Sequence, residues 1–506
     1  MPKRLTQPGS AADAGRRATG QGGPEQGAAG RRGDAKRAVA KRSAARRSAA
    51  SRAAIIREEP VARRVERRGA IQEITSNGTV AAAAMVLAAI LAVVVANTPA
   101  YEPVHHFFET RVGLVLGAFT PSLTLEEFVN DFLMAIFFLL VGIELKYEMT
   151  VGQLRRPRQA ALPMLAAVGG VAVPSLIYLG LNVGQAGAPH GWAVPMATDI
   201  AFALGIMSLL GNRVSPSTKV FFSTLAIADD ILAIVVIAVF YGQTPDVAWV
   251  AASVGCVVVL AALSGMRIYT SRPYLVVGVV LWVCMFNSGI HATLAGVVLA
   301  LFLPSRSDIR LGSLHSWLTE KAHQLDDTYD DEAHVLGQHD FTVAAEGVER
   351  VMHHVTPPLQ RVEHGISVVV NFGILPLFAF VNAQVNLSGA DFGALLIDPV
   401  FQGVFLGAFL GKPAGIIAVT ALLVKVGFAK LPNGMDRVQI AGVGLLGGLG
   451  FTMSILIAGL AFSDPAEVLA AKCAILACSV VTAVVGCLFI VAATGRRRAR
   501  REATRS

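Results

Sequence analysis

The sequence predicts an all-α membrane protein that crosses the bilayer about twelve times. Of its 506 residues, 54% are hydrophobic and 15% are charged, whereas soluble domains carry about 25% charged residues. The mean hydropathy is +0.58. Apolar runs near the roughly 20 residues needed to span a bilayer recur between residues 78 and 491. A polytopic helical fold accounts for all of these observations.

The first 74 residues differ in composition from the rest of the chain. Residues 1–74 contain 18 Lys/Arg and 7 Asp/Glu, a net charge of 18 − 7 = +11, and are rich in Ala and Gly. A segment with so few large apolar residues cannot bury a core. We therefore predict that it is a disordered basic tail. A cytoplasmic tail that meets anionic lipid is favoured over a nucleic-acid-binding arm, and no apolar segment typical of a signal peptide follows the early charges.

The apolar runs divide into two groups, spans one to eight within residues 75–303 and spans nine to twelve within residues 363–491. The predicted spans lie near 78–98, 128–149, 160–182, 191–210, 219–241, 247–265, 274–287, 290–303, 363–383, 399–425, 437–462 and 466–491. The seventh and eighth are short, and could be half-spans or one bent pair. The tail 492–506 is basic like the N-terminal one, which places both termini in the cytoplasm and requires an even number of spans.

One long segment between the two groups is polar. Residues 304–362 form the predicted cytoplasmic loop, and 305–360 hold ten Asp/Glu, four Lys/Arg and six of the eleven histidines. Because histidine titrates near neutrality, a pH-sensing appendage is one interpretation. The favoured one is a solvated, partly disordered insertion.

Charged residues in the middle of apolar runs are the main functional signal. Asp229 and Asp230 lie in FFSTLAIADDILAIVVIAVFY, and Lys412 lies in FLGAFLGKPAGIIAVTALL. A charge at the bilayer centre costs on the order of 3 kcal/mol or more, which marks these positions as functional. Neighbouring helical residues point about 100° apart, so one aspartate can take an ion while the other turns toward an adjacent helix that supplies Lys412. Sodium and protons would then compete for the same carboxylates; a purely structural Asp–Lys pair is the alternative.

Two further spans carry interruptions. Pro195 precedes Thr198 and Asp199 in the fourth span, and five glycines lie between residues 442 and 450 of the eleventh. Paired interrupted helices in the two halves of a carrier indicate its central site. We expect Asp199 to offset the positive N-termini of the broken helices, and Lys412 their negative C-termini. The alternative is that the glycines serve close helix packing only.

Titratable residues also mark the cytoplasmic ends of two spans. Glu144 and Glu148 are four residues apart and share one helix face. Glu363 and His364 begin the ninth span at the same edge of the membrane. The functional interpretation is a pH-responsive mouth that attracts cations, and the alternative is ordinary interfacial charge.

Seven segments together resemble the NhaA-type sodium/proton antiporters. They are FFLLVGIELKYE (137–148), ATDIAFALGIMSLLG (197–211), LAIADDILAIVVIAVFY (225–241), GIHATLAGVVLALFLP (289–304), ILPLFAFVNA (374–383), LGKPAGI (410–416) and GGLGFTMSILIAGLAF (447–462). The resemblance extends from about residue 75 to 490. It implies inverted-topology repeats with two broken helices that cross at mid-membrane, an architecture for which this family is itself a standard example.

The resemblance also implies roles for individual residues. Asp230 binds the transported Na⁺ or Li⁺, and Asp229 pairs with Lys412 and joins the proton exchange. Thr198 and Asp199 lie at the helix crossing.

At the cytoplasmic mouth, the resemblance assigns pH sensing to Glu144, Glu148, Glu363 and His364, while Asp131 matches an acid of lesser role. The implied activity is electrogenic exchange at the bacterial inner membrane that expels sodium and takes in protons. No cofactor is implied. The expected partners are Na⁺ or Li⁺, protons, anionic lipid at the basic tails and a second copy of the chain, to which strands within 99–127 would contribute.

The chain departs from the family pattern in three places. Ser367 stands where the family often has a second histidine, and neither the N-terminal tail nor the 305–360 segment has a recognised counterpart.

Three other classes of membrane protein are disfavoured. A membrane aspartyl protease needs aspartates on two facing helices, a channel needs no compensating lysine, and an organic-solute carrier needs a more varied polar lining.

Overall fold

The structure, a computed structural model, describes residues 78–113, 122–155, 157–184, 188–242, 244–307, 309, 311–388, 391–429, 431–432 and 434–503. The predicted tail 1–74 lies outside these residues. The N-terminal half contains α1 (Gly78–Ala96), α2 (Tyr101–Glu109), α3 (Leu125–Thr150), α4 (Pro157–Asn182), a 3-10 helix (Ala188–Met196), α5 (Ile200–Leu209), α6 (Pro216–Phe240), α7 (Val247–Gly265), α8 (Ser271–Asn287) and α9 (Leu294–Phe302).

The remaining helices lie in the second half. They are α10 (Leu311–Thr328), α11 (His339–Val355), α12 (Pro358–Asn382), α13 (Phe392–Ile397), α14 (Pro399–Lys425), α15 (Arg437–Gly447), α16 (Phe451–Ala461) and α17 (Pro465–Ala503). Short antiparallel strands β1 (Arg111–Gly113) and β2 (Ser122–Thr124) pair in the register Arg111 with Thr124. The all-α fold expected from the sequence is confirmed.

Nine spans in the described part of the chain are long and apolar enough to cross a membrane. They are α1, α3, α4, the 3-10 helix with α5, α6, α7, α12, α14 and α17. The pair α15–α16 is bent by 42° at its break and passes the same test as a tenth. The predicted seventh and eighth spans correspond to α8, of 17 residues, and α9, of 9 residues. The count of twelve and the inverted repeats remain predictions.

Side-chain caps fix where several spans begin. Ser215 accepts the Thr218 N–H at 3.1 Å before α6, and Asp436 accepts the Val438 N–H at 3.0 Å before α15. The first N–H groups of a helix lack intrahelical acceptors, and these side chains supply them. At the other end of the chain, α17 continues to Ala503, beyond residue 491, where the sequence suggested that the last span ends.

Close helix contacts depend on glycine. A Cβ on Gly415 of α14 would overlap the backbone of Gly169 in α4, and a Cβ on Gly296 of α9 would overlap the backbone of Ala135 in α3. Membrane helices have no hydrophobic drive to associate within lipid, so van der Waals packing of small residues holds them together. These two contacts bring α4 against α14 and α9 against α3.

The polar segment between α9 and α12 is a helical hairpin, which differs from the favoured expectation of a partly disordered insertion. Its turn is held by Gln338, which donates to the Asp330 and Ala333 carbonyls at 2.6 and 2.8 Å. The rings of Tyr329 and Phe341 lie 5.1 Å apart across the same turn. The high charge of the segment concealed these local contacts.

Candidate functional site

The two adjacent aspartates lie in the middle of α6 and are buried. Asp229 is 1% exposed and Asp230 is 3% exposed. An uncompensated carboxylate in such surroundings is unfavourable, so each needs a counter-charge, a proton or a bound ion.

Lys412 supplies the counter-charge for Asp229. It is fully buried at the start of the regular part of α14, directly after a π-helical stretch, Gly407–Gly411. Its Nζ donates to Asp229 Oδ2 at 2.6 Å and also to the Met196 carbonyl. π-helical turns recur at functional positions, and this one sets the position of Lys412 on α14.

The two aspartates differ in their surroundings. Asp229 Oδ2 is paired, whereas Asp229 Oδ1 is buried with no hydrogen-bond partner among the described residues. In the same part of the chain no group donates a hydrogen bond to the carboxylate of Asp230. The charged groups that act on it are Asp229, Lys412, Glu144 and Asp199.

The interrupted spans cross next to this pair and are bonded to each other. Thr198 Oγ1 donates to the Gly447 carbonyl at 2.9 Å, and the Asp199 N–H donates to the Leu449 carbonyl at 2.6 Å. Carbonyls left free where a helix breaks must find donors inside the protein, because lipid offers none. Donors of the fourth span thus satisfy backbone carbonyl groups at the break in the eleventh span.

Asp199 caps two half-helices at once. Its Oδ1 accepts the Phe202 N–H of α5 at 3.0 Å, and its Oδ2 accepts the N–H and Oγ1 of Thr452 in α16 at 3.2 and 2.6 Å. A carboxylate at two helix N-termini is favoured by both partial positive charges. Asp199 therefore lies at the N-termini of both half-helices, which is where the sequence analysis expected it.

Two residues of this site were not singled out from the sequence. Thr452 binds Asp199, and Ser454 Oγ donates to the Val194 carbonyl at 2.8 Å, so both tie α16 to the fourth span. The signal available was the FTMS sequence directly after the glycine-rich break, where hydroxyl side chains commonly cap a new helix.

The cytoplasmic residues form a second cluster. Glu363 and Glu148 are the charged neighbours of Glu144, which brings the ends of α3 and α12 together. His364, next to Glu363 in the sequence, is exposed. Lys146 donates to the Leu301 and Leu303 carbonyls at 2.7 and 2.5 Å and so caps the C-terminal end of α9.

Asp131 stands apart from both clusters. It lies in a π-helical stretch, Phe128–Leu133, and the charged residue that acts on it is Glu127. The neighbouring Asn130 accepts a hydrogen bond from Asn382 at 2.6 Å, which joins α3 to α12. The structure does not bring Asp131 to Asp229, Asp230 or Lys412.

Comparison with known proteins decides the family. The family model described as Na⁺/H⁺ antiporter 1 matches residues 72–490. The chain belongs to this family. It is 43% identical over 397 residues to the Na⁺/H⁺ antiporter NhaA of Oleidesulfovibrio alaskensis, an alignment that covers 78% of this chain and 88% of that protein.

One further relative and one solved structure also match the chain. The NhaA antiporter of Helicobacter pylori strain J99 is 41% identical over 410 residues, with 80% of this chain and 91% of that protein covered. The solved structure of the sodium/proton antiporter MjNhaP1 from Methanocaldococcus jannaschii at pH 8 matches with a TM-score of 0.43 and 14% identity, over 81% of this chain and 92% of that one.

The family assignment settles the class of function. The antiporter is a multi-pass membrane protein and a secondary transporter that exchanges Na⁺ for H⁺. The sequence prediction of sodium/proton exchange is confirmed at this level. It belongs to a family of transporters rather than of enzymes.

Proposed function

We propose that Asp230 is the binding site for transported Na⁺ or Li⁺, and that the Asp229–Lys412 pair takes part in the proton exchange. One observation carries this proposal. A buried carboxylate, Asp230, receives no hydrogen bond from the described residues and lies next to a carboxylate that is already paired with a buried ammonium group. Hard cations prefer oxygen ligands, and these two side chains offer them.

Charge balance explains why the two ions exclude each other. Asp199 is balanced by the two helix N-termini that it caps. The remaining groups, Asp229, Asp230 and Lys412 in their charged forms, sum to one negative charge within a buried volume. One bound sodium ion, or one bound proton, neutralises this charge. Both together would leave an unpaired positive charge in a medium that penalises it strongly. Binding of either ion therefore displaces the other, which is the condition for exchange.

The exchange is electrogenic in this proposal, with more protons taken in than sodium expelled. A proton carried at Asp230 accounts for a one-for-one exchange. The additional proton is one that Lys412 releases when sodium takes its partner Asp229, and regains when sodium leaves. The membrane potential then contributes about 2.3 kcal/mol per net charge per 100 mV, which drives sodium out of the cell.

The cytoplasmic cluster makes transport depend on pH. Glu144, Glu148 and Glu363 place three carboxylates at one mouth, with His364 exposed beside them. Their charge attracts cations when deprotonated and is lost when they are protonated. We assign them to the regulation of access to Asp230.

The cellular setting follows from charge and from the strand pair. Basic segments at both ends support a bacterial inner membrane location in which both termini lie on the cytoplasmic side and meet anionic lipid. β1 and β2 lie outside the spans and supply an edge through which a second copy can associate. No cofactor and no nucleic acid takes part in this proposal.

Everted membrane vesicles with an acid interior test the site. Addition of Na⁺ or Li⁺, compared with K⁺, should release protons from the wild-type vesicles between pH 6 and 9. Asp230→Asn should abolish this release, whereas Asp340→Asn, the same change at an exposed position of α11, should leave it intact. Release that persists in Asp230→Asn would overturn the site assignment and leave the antiport function standing.

A further inference from the structure

A contact between His353 and Arg361 links the α10–α11 hairpin to the membrane part of the antiporter. Arg361, in the first turn of α12, places its Nη1 2.5 Å from Nδ1 and 3.0 Å from Nε2 of His353 near the end of α11. The Nη2 of the same arginine donates to the Tyr269 carbonyl at 2.8 Å, between α7 and α8. One guanidinium group therefore joins the hairpin, α12 and the α7–α8 connection.

A second bond supports this attachment. Ser307 Oγ donates to the His354 carbonyl at 2.9 Å, which fixes the end of α11 to the segment after α9. Next to it, Leu359 is buried and its N–H donates to the Pro304 carbonyl at 3.1 Å. The end of α11 and the start of α12 are thus held to the same region.

The contact requires neutral His353. Arginine only donates hydrogen bonds and keeps its charge, so the ring nitrogen that faces it must accept. Protonation turns both ring nitrogens into donors and places two positive charges against each other. The groups that act on His353 are Arg361 of α12, Arg272 of α8, and His354 and Glu349 of α11 itself. The permanent charges of Arg361 and Arg272 outweigh the carboxylate of Glu349, so these surroundings disfavour protonation of His353.

The direction of the pH effect follows. Desolvation by the surrounding chain, although His353 is largely exposed, and the neighbouring Arg361 and His354 charges lower the pKa of His353 below its usual range. A lowered histidine pKa means that the contact is present above that pKa and is lost as the pH falls through it. The His353–Arg361 contact therefore holds at neutral and alkaline pH and is lost in acid.

We propose that the α10–α11 hairpin is a regulatory element, and that the His353–Arg361 contact transmits its state to α12. Arg361 lies two residues before Glu363, whose charge acts on Glu144 at the cytoplasmic mouth. Release of His353 frees the start of α12 and changes the position of Glu363. His353 is a positioning residue that sets the acid limb of the transport profile. This inference rests on the proposed pH regulation at the mouth.

Three variants test it in the full chain, in everted vesicles, by Na⁺-dependent proton release from pH 5 to 9. His353→Gln keeps a neutral acceptor at all pH values, so the acid limb should move to lower pH while the maximum is unchanged. His353→Lys places a fixed charge against Arg361 and should lower activity at pH 8 by about two- to fivefold, the size expected for one exposed polar contact. The control His323→Gln, at an exposed position on α10, should follow the wild type.

The outcomes separate this inference from the proposal beneath it. A wild-type profile without any dependence on pH would overturn both the regulated mouth and the role of the hairpin. A pH-dependent wild type with superimposable His353→Gln and His323→Gln profiles would overturn the hairpin alone. Hydrogen exchange of residues 345–360, corrected for intrinsic rates, should rise in acid in the wild type and not in His353→Gln. Equal rises in both would also overturn it.

Discussion

Replacement of Thr452 by valine removes one hydrogen bond from the helix crossing and keeps the shape of the side chain. The Thr452 hydroxyl donates to Asp199 Oδ2 at 2.6 Å, and both residues are buried. Without it, Oδ2 retains only the Thr452 N–H at 3.2 Å. A buried hydrogen bond to a charged group contributes about 1.5–3 kcal/mol, so we expect Thr452→Val to lower the free energy of unfolding by that amount.

The matched control is Thr420→Val. Thr420 is fully buried in α14, and its Oγ1 has no hydrogen-bond partner in the described part of the chain. Replacing an unsatisfied buried hydroxyl by a methyl group is neutral or stabilising. The two variants therefore make the same chemical change, but only Thr452→Val is expected to destabilise the protein.

Two assays measure the difference. Thermal unfolding of the detergent-solubilised antiporter should show a lower midpoint for Thr452→Val and an unchanged or higher one for Thr420→Val. Sodium-dependent proton release in vesicles should be slower for Thr452→Val. If both variants matched the wild type in stability and rate, the Thr452–Asp199 bond would not hold the crossing, and our account of Asp199 as a double cap would be refuted.

Two other perturbations probe the packing and the ion pair. Gly415→Ala should destabilise the protein by more than about 1 kcal/mol, because its Cβ would meet the backbone of Gly169, whereas Gly459→Ala, which meets nothing within 4 Å, should be tolerated in the same thermal assay. Lys412→Met should cost about 3–5 kcal/mol by leaving Asp229 buried and unpaired, and Lys412→Met with Asp229→Leu should recover much of that stability without recovering transport. Recovery of transport in the double variant, or a harmless Gly415→Ala, would contradict these expectations.

The residues that the sequence identified are those whose chemistry is costly in lipid. Asp229, Asp230, Asp199 and Lys412 stand out because a charge inside an apolar run is unfavourable wherever the helix packs. Thr452 gives no such signal, since a hydroxyl in a membrane helix can bond to its own backbone. The role of Thr452 is seen only in the structure, where the helix crossing places its hydroxyl beside Asp199.

Other features had no sequence signature at all. Nothing in LGAFLGK distinguishes the π-helical stretch before Lys412 from a regular helix. The hairpin α10–α11 was obscured by its charge, because a solvated surface and an unfolded segment share the same composition. The contact of Arg361 with His353 joins two helices whose relative position the sequence does not encode locally.

The geometry of the crossing indicates which parts of the antiporter move together. The carbonyls of Gly447 and Leu449 are satisfied by the opposite span, so separating the two spans would expose backbone groups where neither water nor lipid can bind them. We therefore expect the crossing to move as one body. Lys412 binds both this body, at Met196, and α6, at Asp229. In the proposed site, a cation bound between Asp229 and Asp230 would compete with Lys412 for the Asp229 carboxylate, so we expect ion occupancy to be coupled to movement between α6 and the crossing.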